Sequence, residues 1–152
     1  MRTRMARSLL SDCLYYGATL HAYVVMPHHV HFVATLPEDR DDSWFVQRIK
    51  TNSAKALMPL LLDEERAGFA EQEGLNLRSF WMRSFRGLPL LSEGIFHQKV
   101  YYTHQNPVRA GYAETFEAYP WSSAAVYGER LTEREAFRCV AEDCLARPPV
   151  LP

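Results

Sequence analysis

The sequence predicts an α+β domain built on one antiparallel sheet with helices packed on one face. Three observations carry that expectation. Two β-branched and aromatic runs, LHAYVVM (20–26) and HVHFVATL (29–36), stand on either side of Pro27 and His28. So short a connection forces the two strands to be antiparallel neighbours. Segments with apolar residues at three- and four-residue spacing lie before and after them, which is the helical period. Finally, 152 residues with 47% hydrophobic and 23% charged content match ordinary globular usage and suffice for one buried core.

Taken in order, residues 4–16 read as a helix through Met5, Leu9, Leu10, Cys13 and Leu14, with Gly17 as its stop. The two strands follow, and PEDRDD forms a polar loop. Residues 43–58 read as a second helix, with Ser43 as N-cap, Trp44, Ile49, Ala56 and Leu57 inward, and Pro59 ending or kinking it. The acidic stretch 63–79 reads as a surface loop or insertion. FWMRSF (80–85) alternates enough to predict a strand. Residues 92–106 read as a third long helix, with Ser92 as N-cap and Ile95, Phe96, Val100 and His104 along it. Pro107 is expected to end it, since the residue before a proline is disfavoured in helical geometry. YPWSS leads into a short helix closed by Gly128, with Ser122 or Ser123 as cap, and a last helix near 131–146 precedes an extended RPPVLP tail.

Composition narrows the function classes. No apolar run reaches the ~18 residues that span a bilayer, and the basic start lacks the apolar core of a signal peptide. Cys13, Cys139 and Cys144 are odd in number and form no CxxC pair, which predicts reduced thiols and a cytoplasmic protein. The net charge of −1 is unevenly spread: residues 1–62 carry +2, 63–80 carry −3, 81–112 carry +3 and 113–152 carry −3. A polyanion site would draw on the first and third blocks. Fourteen of the 17 basic residues are Arg, suited to bidentate contacts with phosphates or bases as well as to surface pairing.

Two constellations carry chemistry. In PHHVHF, strand parity puts His29 and His31 on one face with Val30 and Phe32 on the other. Such a pair either holds one divalent ion in common or sits half-buried on backbone carbonyls. No third ligand follows in sequence, which argues against a closed structural zinc site. In YYTHQNPVRAG, Tyr102 and Asn106 lie four apart on one helix face, offering a phenol nucleophile and an amide oxygen for a metal. Packed aromatic and capping residue is the plainer alternative, and Tyr101 and His104 are rivals for the same roles.

HAYVVMPHHVHFVATLP, FWMRSF, YYTHQNPVRAGY and YPWSSAAVYG, in that order over residues 18–128, resemble the REP-associated tyrosine transposases. These belong to the single-tyrosine HUH transposases. The resemblance implies a ferredoxin-like sheet, a catalytic domain over 1–128 and a C-terminal helix and tail over 129–152. It makes His29, His31 and Asn106 the ligands of Mg²⁺ or Mn²⁺, and Tyr102 the nucleophile. The implied activity cleaves and rejoins single-stranded DNA at hairpin-forming repeats through a 5′-phosphotyrosine. A relative that binds repeat hairpins without cutting is the alternative. Arg48, Lys50, Lys55, Arg83, Arg86 and Arg109 are candidates for DNA contact, and Trp81 and Trp121 for stacking on bases. The molecule would be a monomer or homodimer, with no membrane partner. Two positions depart from the pattern. Members carry a strand ahead of the first helix, so the sheet here would lack one member and expose an edge. His28 replaces the usual Asn in the turn.

Overall fold

A computed structural model describes residues 1–61 and 80–127. Its order is α1 (Arg2–Tyr15), β1 (Thr19–Val25), β2 (Val30–Thr35), α2 (Asp42–Leu57) with a 3₁₀ turn at Met58–Leu60, α3 (Glu93–Arg109) and α4 (Ala124–Tyr127). The readings of 63–79 and 131–146, Cys139, Cys144 and the tail lie outside the described residues.

β1 and β2 pair antiparallel, with Val25 opposite Val30, Val24 opposite His31 and Tyr23 opposite Phe32. The Pro27–His28 turn is closed by the Met26 amide donating to the His29 carbonyl at 2.9 Å. β1 is buried almost throughout, so each face of the sheet needs a cover. Tyr23 and Val25 face a core shared with Met5, Leu9, Leu10 and Cys13 of α1 and Phe45, Ile49 and Leu57 of α2. Ala22 and Val33 face Phe96 and Val100 of α3. The expectation of helices on one face is corrected: α1 and α2 cover one face and α3 covers the other, because β1 is buried on both.

α1 and α3 each end on a glycine in the left-handed region, Gly17 at φ +71° and Gly111 at φ +73°. In each the last carbonyls are satisfied by the same pair of bonds. Ala18 and Gly17 donate to Cys13 and Leu14, and Tyr112 and Gly111 donate to Pro107 and Val108. α3 therefore runs three residues past the expected stop, with Pro107 inside it. The Asn106 side-chain amide accounts for part of this tolerance. Its Nδ2 donates to the carbonyls of Tyr102 (2.8 Å) and Thr103 (3.4 Å), and Thr103 is the acceptor that the missing Pro107 N–H would have served.

Three further expectations change. Asp41, not Ser43, caps α2, accepting from the Trp44 amide at 2.6 Å. The inward stripe of α2 is Phe45, Ile49, Ser53 and Leu57, with Trp44 and Ala56 only half-buried. Residues 80–85 form no strand. Their carbonyls are taken by a side chain instead: the Lys50 ammonium donates to Met82 (2.7 Å), Arg83 (3.4 Å) and Ser84 (2.9 Å), while the Trp81 indole donates to Ser53 Oγ (2.9 Å).

The 121–123 segment lies along the edge of β1 away from β2. Val24 and Ser122 form a single antiparallel bridge, the Val25 amide donates to the Trp121 carbonyl, and the Ser123 amide donates to the Tyr23 carbonyl. The Ser122 hydroxyl does meet the capping expectation, accepting from the Ala124 amide at 3.1 Å. No helix among the described residues is long and apolar enough to cross a membrane.

Candidate metal and tyrosine site

The strand parity that separates His29 and His31 from Val30 and Phe32 decides which layer the imidazoles meet. Val30, Phe32 and Ala34 pack toward α1 and α2, whereas Val33, on the parity of His31, packs against α3. The two imidazoles therefore come up on the α3 side. Their rings stand edge to face with centroids 4.8 Å apart. The ring of Tyr102, from α3, meets His31 edge to face at 6.0 Å. One cleft is lined by His28, His29, His31, Lys99, Tyr102 and Tyr112 among others.

Burial holds both imidazoles below the ordinary histidine range, and a neighbouring imidazole adds to it: His28 acts on His29, and His29 acts on His31. At neutral pH both rings are thus uncharged and carry the lone pair that a metal requires. Among the described residues no group of three His, Cys, Asp or Glu side chains gathers for a metal. A cation held by His29 and His31 would complete its shell with amide, water or substrate oxygens, as a catalytic rather than a structural ion does. Asn106 sits one turn beyond Tyr102. Its Nδ2 is committed to the helix backbone, and Asn106 is not among the residues that line the cleft with His29, His31 and Tyr102. Two neutral imidazoles side by side are a donor pair suited to a divalent transition ion such as Mn²⁺ more than to Mg²⁺, which prefers oxygen ligands.

Tyr102 is distinguished from its rivals by place. Tyr101 is 62% exposed and does not line the cleft. His104 is buried on the far side of α3, its Nε2 2.8 Å from Ser123 Oγ. Two cations bracket the Tyr102 ring, Lys99 Nζ at 5.6 Å and Arg109 Cζ at 5.5 Å from its centroid. Lys99 is not among the sequence-predicted contacts, although it stands three residues before Tyr102 and so on the same helix face. Arg109 joins them because α3 continues through Pro107, placing residues 99, 102, 106 and 109 in one row.

The other basic candidates divide. Arg86 lines the cleft and is exposed. Lys50 also lines it, but its ammonium is spent on the three carbonyls of 82–84 and burial lowers its pKa, so it braces the wall of the cleft. Arg83 is exposed beside that wall. Arg48 lies over Trp44 at 5.4 Å, Lys55 is exposed in the last turn of α2, and neither lines the cleft. The tryptophans serve packing. Trp81 is held by Ser53, and Trp121 has Arg2 over its ring at 3.6 Å and its indole N–H on Thr3.

No family model, no curated protein and no solved structure matches this chain.

Proposed function

We propose that this chain is a metal-dependent single-strand DNA transesterase of the REP-associated tyrosine transposase kind, acting at hairpin-forming repeats. The observation that carries the reading is the meeting of Tyr102 with the His29–His31 pair, residues of two separate elements that share one cleft. Tyr102 is 40% exposed, so its hydroxyl is open to a substrate in the cleft.

In this reading Tyr102 Oη attacks a phosphodiester phosphorus. The P–O3′ bond breaks, the 3′-hydroxyl leaves with a proton, and the 5′-phosphate stays on the tyrosine. Attack by a 3′-hydroxyl reverses the step and rejoins strands without an external energy source, because each ester bond broken is replaced by one formed. His29 and His31, with Asn106 Oδ1, would hold Mg²⁺ or Mn²⁺. The ion supplies a Lewis acid for the non-bridging oxygens. Lys99 and Arg109 bring positive charge beside the attacking ring, where phosphate charge must be neutralised. Arg86 offers a contact to the backbone of the strand from another part of the cleft. The protein would act in the cytoplasm, as a monomer or homodimer.

The test is a 5′- and 3′-labelled hairpin oligonucleotide with a single-stranded foot, incubated with the protein and Mn²⁺. The expected outcome is a denaturation-resistant protein–DNA adduct that Tyr102→Phe abolishes and Tyr101→Phe retains. Binding without an adduct identifies a hairpin-binding relative. A free 5′-phosphate product identifies a water-using phosphodiesterase, and either result overturns the reading.

A further inference from the structure

Tyr102 works only if α3 presents it at the right rotation about the helix axis. The apolar contacts of Phe96 and Val100 with Ala22 and Val33 press α3 onto the sheet. Such contacts resist separation, but they are non-directional and resist rotation less well. Tyr102 projects about 6 Å from the helix axis, so a 20° rotation carries it roughly 2 Å.

One contact on the opposite side of the helix is directional. His104, two residues on from Tyr102 and therefore about 200° around the axis, is 2% exposed. Its Nε2 lies 2.8 Å from Ser123 Oγ. Ser123 is itself clamped to β1 at Tyr23: its amide donates to the Tyr23 carbonyl at 3.0 Å, its Oγ accepts from the Tyr23 amide at 2.9 Å, and the same Oγ reaches the Tyr23 carbonyl at 3.4 Å. Tyr23 pairs with Phe32, and the next residue pair in that register is Val24 with His31. A short chain of bonds thus runs from the helix that bears the phenol to the strand that bears the imidazoles. The ring of Tyr127 packs on His104 at 5.1 Å and donates its hydroxyl to the His21 carbonyl, which leaves the imidazole little room to swing.

We propose that His104 and Ser123 are a positioning pair that sets the rotation of α3 and so the approach of Tyr102 to His29 and His31. Neither residue touches the reacting atoms. The geometric part stands on the bonds above, and the consequence for rate rests on the transesterase reading.

The experiment uses the full chain and three variants: His104→Leu and Ser123→Ala, which break the bond, and His104→Gln, whose amide reaches the place of Nε2. Two quantities are read in each: the cross-relaxation between His31 and Tyr102 ring protons by NMR, and the rate of adduct formation at saturating hairpin with Mn²⁺. We expect the ring contact to weaken in His104→Leu and Ser123→Ala and to return in His104→Gln. The adduct rate should fall about 10- to 100-fold in the first two, as a displacement on the scale of 1 Å does, with hairpin Kd changed less than about 2-fold. Folded variants that keep both ring contact and rate overturn the proposal. Variants that unfold, His104→Gln included, also overturn it, since the pair would then be structural only. If the wild type forms no adduct, the transesterase reading fails, while the ring contact alone decides the positioning role.

Discussion

The side-chain amide of Asn106 donates to the backbone carbonyl of Tyr102 at 2.8 Å, so the residue proposed as a metal ligand also secures the turn that carries the proposed nucleophile. The same nitrogen reaches the Thr103 carbonyl, which Pro107 leaves without its usual donor. One side chain therefore has a structural end and a chemical end, and substitutions separate them.

Asn106→Asp keeps an oxygen for the metal and loses the donor. The expected outcome is a loss of about 1 kcal/mol in stability, the usual worth of such a bond, with Mn²⁺ binding retained. Asn106→Ala should lose both. Denaturant melts and calorimetric titration with Mn²⁺ in the three proteins check this. A variant that loses metal affinity with unchanged stability would contradict the assignment of the nitrogen.

His29→Ala and His31→Ala should each abolish Mn²⁺ binding and adduct formation, and EDTA should stop the wild type reversibly. Because neither ring is fully buried, the fold should survive both changes. Adduct formation that continues in EDTA would remove the metal from the mechanism.

His104 gives stability a pH dependence. Burial lowers its pKa to about 4 from 6.5, with Glu117 opposing. The unfolded chain therefore binds more protons than the folded one between those values. Stability is complete above pH 6.5, declines as the pH falls toward 4, and levels off below. The loss attributable to this residue is about 3 kcal/mol. Urea melts from pH 7.5 to 4 measure it, and His104→Gln should flatten the His104 share of the curve.

Lys50 and Arg86 line the same cleft and should behave in opposite ways. Lys50→Met removes an ammonium bonded to three carbonyls, so it should cost roughly 1.5–3 kcal/mol of stability and loosen the 80–86 segment. Arg86→Ala should leave stability within ~0.5 kcal/mol and lower the salt dependence of hairpin binding by about one counterion. Melts and Kd measured against salt distinguish them. A reduced salt slope without lost stability in Lys50→Met would return that residue to the DNA contacts.

Local chemistry was legible from the residues alone. The helix over α1 with its glycine stop, the antiparallel pair around Pro27–His28, the Ser92 cap and the shared face of His29 and His31 follow from repeat spacing, turn length and parity, which neighbouring residues settle among themselves. The row Lys99, Tyr102, Asn106, Arg109 was equally present in the numbering, but it appeared only once α3 continued through Pro107. The Asn106 side chain, three residues from the Thr103 carbonyl, offset part of the lost backbone bond, and the preference of the residue before proline was overridden.

What the chain spacing did not contain is which faces meet. Whether the imidazoles look toward α1 and α2 or toward α3, whether Lys50 faces a ligand or the carbonyls of 82–84, and whether FWMRSF pairs as a strand all depend on elements distant in sequence. Side-chain type states what a group can bond. Only packing chooses among the partners, because burying a polar group leaves it the few donors and acceptors that the fold brings within 3 Å.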